Sequence, residues 1–159
     1  MHRFIDEEMS AYEKAHEELK RVDHLVYVSL KYTRTVDVIK NTIQRMISCF
    51  DCIMEGLLYK AEDEGKLFQM PVSPGAKVNE IKKIYGTDPV VTEMLTFYGY
   101  LRKVHKAEYS AIKEFRRHVA MLARMADGQT EEINIDVITE FYHKSKVLMD
   151  KFKDYFPHE

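Results

Sequence analysis

Apolar residues recur at three- and four-residue steps over most of this chain, the period of helices that bury one face. In the clearest run, Val36, Ile39, Ile43, Met46, Phe50, Ile53 and Leu57 alternate those steps into a heptad seam. The pattern predicts a long helix from about Asp23, its N-cap, to about Ala61, with Gly65 as the stop. A shorter helix precedes it, from about Phe4 to Lys20, with Ile5, Met9, Tyr12, His16 and Leu19 on one face. A third starts at Thr87 or Asp88, with Pro89 in its first turn, where a missing N–H costs nothing. Its stripe is Met94, Tyr98, Leu101, His105, Glu108, Ile112, Phe115, Val119 and Leu122, and Gly128 closes it. The last begins near Asp136 and carries Ile138, Phe141, Ser145, Leu148, Phe152 and Tyr155. Period-two alternation is confined to "INID", too short to predict a strand.

These segments predict an all-α fold: an antiparallel up-down four-helix bundle with two long central helices and two shorter flanking ones. At 1.5 Å per residue the central pair would each be about 55–60 Å long. One domain covers 1–159, and a connection over 63–86, broken by Pro and Gly, carries a short helical turn near its end.

Composition changes the picture little. The chain has 159 residues, of which 45% are apolar and 31% charged, enough for an ordered core without staples. A formal net charge of -2 removes any global basic footprint for nucleic acid and leaves room only for a local one. No apolar run reaches the roughly 20 residues that span a bilayer. "MHRFIDEEMS" is too acidic for a signal peptide, so a cytoplasmic location and no membrane partner are expected. Cys49 and Cys52 form a lone C-x-x-C inside the heptad seam, which is read as packing rather than metal or redox chemistry.

Antiparallel pairing brings Glu13, His16, His118, Glu140 and His143 towards one level, and "EKAH" and "EFYH" both have the Glu-x-x-His spacing of di-iron bundles. Glu140 and His143 fall off the apolar stripe, however, and the second helix supplies no inward carboxylates, so neither a metal nor a cofactor is expected. Arg45, His105 and Glu108 are expected to form a buried polar group that fixes helix register. Lys31, Tyr32, Arg34 and Asp37 in one helix face Lys113, Arg116 and Arg117 in the next, flanked by Tyr27 and Lys40. Arginine, lysine and tyrosine together suit phosphate contacts and base stacking, and equally suit a protein interface. The chain has no phosphate-binding glycine loop, G-x-S-x-G or H-E-x-x-H.

In "KYTRTVDVIKNTIQRMI" and "LRKVHKAEYSAIKEFRRHVAML" the chain resembles the HEPN superfamily of helical bundles. Catalytic HEPN proteins cleave RNA without metal through an arginine and a histidine with four to six residues between them, so the resemblance marks Arg116, Arg117 and His118 as catalytic candidates. The closing histidine is missing: the positions counted from Arg117 are Leu122, Ala123 and Arg124, and those from Arg116 are Met121, Leu122 and Ala123. An arginine can stabilise a phosphorane, but a base must still activate the 2′-hydroxyl. The expected function is therefore non-catalytic: a binding or adaptor protein acting through helix faces, associated with RNA, a nucleotide or a protein partner. A degenerate metal-independent endoribonuclease is the alternative. The resemblance also implies a homodimer and, in some relatives, a nucleotidyltransferase partner.

Overall fold

The structure, a computed structural model, describes residues 3–156. Helix α1 (Arg3–His24) does not stop at Lys20 but runs on through a π-helical turn, Leu25–Ser29, into the short α2 (Leu30–Tyr32). Asp23 therefore lies inside a continuous helical run instead of capping a new one. The break comes later, at Thr33 to Thr35, where both threonines are extended and the Thr35 hydroxyl accepts from Val38 N at 3.3 Å. Helix α3 (Val36–Asp63) then spans 28 residues, about 42 Å. All seven residues of its heptad seam are buried.

The buried face of α1 is Ala11, Ala15 and Val22. His16, expected on the apolar stripe, is exposed and stands edge-on to Tyr12. The side chains of Ile5 and Met9, also assigned to that stripe, lie outside the described residues. The 63–86 connection holds a full helix, α4 (Pro74–Tyr85), rather than a turn. Ser73 caps it by accepting from Ala76 N at 3.1 Å, and the Tyr85 hydroxyl ties it to Leu57 O at 2.8 Å. Helix α5 (Pro89–Lys106) is capped by Asp88, which accepts from Val90 N and Val91 N.

The chain is mostly helical, as its spacing predicts, but it is not all-α. Helix α5 stops at Lys106, and the expected second half of the third long helix is a hairpin. Ala107 is extended, and β1 (Glu108–Ile112), β2 (Ala120–Arg124) and β3 (Thr130–Asn134) form an antiparallel sheet in the order β1-β2-β3. Helix α6 (Ile135–Lys151) follows directly, with Asn134 Oδ1 accepting from Val137 N at 2.9 Å, and a 3₁₀ turn, Lys153–Tyr155, ends the described fold.

Cross-contacts give the helix directions. Glu18 meets Arg45 while Ala11 lies 3.5 Å from an ideal Cβ on Gly56, so α1 and α3 run oppositely. Tyr98 reaches Asp51 while Lys40 lies over the Tyr109 ring, so α5 returns along α3. Tyr142 bonds Asp23 while Phe156, just past α6, packs on Tyr12, and Phe141 meets Tyr100 while Lys151 bonds Glu93, which sets α6 opposite to both α1 and α5. The core sits between these four helices around Phe50, Ile53, Met94, Leu101, Leu148 and Phe152, with Val119 before the sheet and Met121 and Ala123 within it closing one end.

Candidate functional site

Three local irregularities meet at that end. The first is the π-helical turn Leu25–Ser29; one-residue widenings of this kind recur at functional sites because they re-aim side chains. The second is the β1–β2 turn, where Lys113 and Phe115 take φ of +52° and +66°, conformations that cost non-glycine residues energy. Two bonds hold this turn against the α2–α3 break: Phe115 N donates to Arg34 O at 2.6 Å, and Val36 N donates to Glu114 Oε2 at 3.3 Å. The third is Arg34 itself, whose Nε is buried without a hydrogen-bond partner among the described residues.

Between them lies a cavity of about 600 Å³. Lys31 lines it from α2 and Arg34 from the break after it, Lys113, Arg117 and His118 from the hairpin turn, and Glu132 and Asp136 from the sheet and the start of α6. Four cations thus oppose two carboxylates in a local basic field that the overall charge conceals. The first turn of α6 opens into the same space through Asn134, Ile135 and Asp136. Its free N–H groups favour anions, although Asp136 occupies part of that field. Tyr27, 48% exposed, also lines the cavity, while Tyr32 and Phe115 are more than three-quarters exposed beside it in sequence. The π turn is anchored from behind. Tyr142 donates to Asp23 Oδ2 at 2.5 Å, burial being the larger cause that pushes its phenol up, and its ring meets Tyr27 edge-on.

The structure thus brings Lys31, Arg34, Lys113, Arg117 and His118 to one cavity. It leaves Tyr32, Asp37 and Arg116 exposed and outside the lining. Sequence reasoning missed Glu132, Asn134 and Asp136, because their approach depends on β3. Arg116, Arg117 and His118 stand in a turn, not on the helix that the resemblance requires, so their spacing does not set them on one helical face.

The buried polar group of Arg45, His105 and Glu108 does not form. Glu108 is exposed on β1, opposite Arg124, and Arg45 pairs with Glu18 at 3.5 Å. The cause is the end of α5 at Lys106, which turns the chain before Glu108 could enter the helix seam. His105 is half-buried, and burial, with the charges of Lys40 and Arg102, holds its imidazole below its ordinary value. Glu13, His16, Glu140 and His143 are exposed, and His143 Nε2 lies 3.5 Å from the Tyr27 hydroxyl. No group of three potential metal ligands gathers among the described residues. Burial pushes the Cys49 thiol up and the Cys52 thiol up to about 11, so both stay protonated at neutral pH.

No helix among the described residues is long and apolar enough to cross a membrane. Comparison with known proteins finds no family model, no curated protein and no solved structure that matches this chain.

Proposed function

We propose that this chain is a cytoplasmic, HEPN-like binding protein that captures single-stranded RNA at the cavity between the π turn and the hairpin, and that it acts without cleaving. One observation carries this reading: Lys31, Arg34, Lys113 and Arg117 converge on a single cavity with the half-exposed ring of Tyr27 in its lining. Cations that follow a backbone and rings that take stacked bases are what single strands require. Arg34 supports it further, since a phosphate oxygen would satisfy the donor that the fold leaves unpartnered. Glu132 and Asp136 give the same cavity acceptors for a 2′-hydroxyl or an exocyclic amine. A homodimer is the assembly that the resemblance implies.

Ribonuclease activity is the second reading, favoured by Arg117 and His118 lining the cavity together with Arg34. End-labelled single-stranded RNA incubated with the protein in chelator, followed for both retention and cleavage, separates the two. Retention of intact RNA that Arg34→Gln weakens supports capture. Cleavage that Arg117→Ala abolishes would replace capture with catalysis, and neither retention nor cleavage would remove RNA from the function.

A further inference from the structure

A second cavity, of about 770 Å³, lies between α4 and α5, within the range of small-molecule sites. Its charge is one-sided. Lys82, Arg102, Lys103 and Lys106 line it, and none of the described residues that do so is a carboxylate. Lysines in the last turn of a helix complement its dipole, which accounts for Lys82, Lys103 and Lys106. It does not account for Arg102, one residue before that turn. That side chain is held in place: its Nη1 donates to the Tyr98 hydroxyl at 3.0 Å, and the hydroxyl in turn donates to Asp51 Oδ1 at 2.6 Å. Burial, then the bond to Asp51, pushes the Tyr98 phenol up to about 12, so it remains a donor at neutral pH. The guanidinium is thus oriented before any ligand arrives.

Val78, Tyr85 and Leu95 add apolar groups to the same lining, and Gly99 adds bare backbone. Glycine weakens a helix interior, and nothing in the fold requires it here, because a Cβ on Gly99 would meet nothing within 4 Å. Space kept open beside an oriented arginine is a feature of close ligand approach rather than of packing.

We propose that this cavity binds a small phosphorylated molecule with an apolar or planar body, of nucleotide size. Four cations in a lining that holds no carboxylate among the described residues match a phosphate group better than a single carboxylate, and the Gly99 wall takes the planar part. The site is separate from the RNA-facing cavity and does not depend on it.

The test is calorimetric titration of the full chain with ATP, AMP and inorganic pyrophosphate in chelator. Saturable binding of a nucleotide is expected, tighter than that of pyrophosphate. Arg102→Gln and Gly99→Leu should each weaken it by about tenfold or more. Gly99→Leu should do so with an unchanged or raised melting temperature, which separates blocking from unfolding, while Arg34→Gln should leave it unchanged. Absence of saturable binding, binding indifferent to Arg102→Gln, or binding lost in Arg34→Gln would overturn the proposal. Pyrophosphate binding as tightly as the nucleotides would overturn its apolar half.

Discussion

Replacing Tyr98 by Phe removes one oxygen and leaves the ring. Tyr98 is 2% exposed, so its ring packing survives and the change isolates the hydroxyl. Two bonds go with it: the one donated to Asp51 and the one accepted from Arg102. Arg102 is partly exposed and can turn to water, which makes its loss small. Asp51 cannot recover so easily, because burial already holds its carboxyl above its ordinary value, with only part offset by Tyr98, Arg102 and Lys77. A hydrogen bond to a charged group contributes about 1.5–3 kcal/mol, so Tyr98→Phe should cost that much at neutral pH, roughly 3–12 °C in melting temperature for a chain of this size. The pH dependence has a definite sign. A carboxyl whose folded value is raised favours the fold while protonated and loses that contribution as pH rises through the folded value. Losing the Tyr98 donor raises it further, so the deficit should be larger at neutral pH than below the ordinary carboxylate range. Urea unfolding of wild type, Tyr98→Phe, Asp51→Asn and the double variant measures this directly. A deficit under about 0.5 kcal/mol, independent of pH, or undiminished in the Asp51→Asn background would refute the reasoning.

Asn134 accepts from Val137 N at the start of α6, so Asn134→Ala should lower stability by about 1 kcal/mol in urea unfolding, whereas Asn134→Ser should retain most of it. His105 is held below its ordinary value by burial and by Lys40 and Arg102. A base with a lowered folded value contributes stability at high pH and loses it as pH falls past the unfolded value, about 6.5. His105→Gln should therefore flatten the loss of stability between neutral pH and about pH 5, read from melting temperatures across that window.

The helices were legible because burial on one side writes a period into the sequence. The α3 seam is the clearest case, and the cap at Asp88 lies beside Pro89 as its chemistry demands. The sheet was hidden by its middle strand. Val119, Ala120, Met121 and Ala123 are all buried, so "VAMLA" shows no alternation and continues the helical stripe unbroken. Its outer strands are mostly polar and five residues long, as short edges usually are. One local signal was present: Asp127 and Gly128 separate two short runs, and the turn they make, with Gly128 at φ +88° and Asp127 accepting from Gln129 N, is that of a hairpin. The cavity residues Lys31, Arg34, Lys113 and Arg117 came from composition on facing segments. Their convergence depended on a sheet and a π turn that no spacing announced.

The most direct test of RNA capture at the cavity between the π turn and the hairpin is the salt dependence of single-stranded RNA affinity, measured by anisotropy for wild type, Arg34→Gln and Arg117→Gln. Each phosphate contact on a single strand contributes about 0.7 to the slope of log affinity against log salt. Loss of affinity in both variants, with the slope shallower by about 0.7 for each, is the outcome that RNA capture at this cavity predicts. Affinity and slope unchanged in both variants would contradict it and place any RNA contact elsewhere on the molecule.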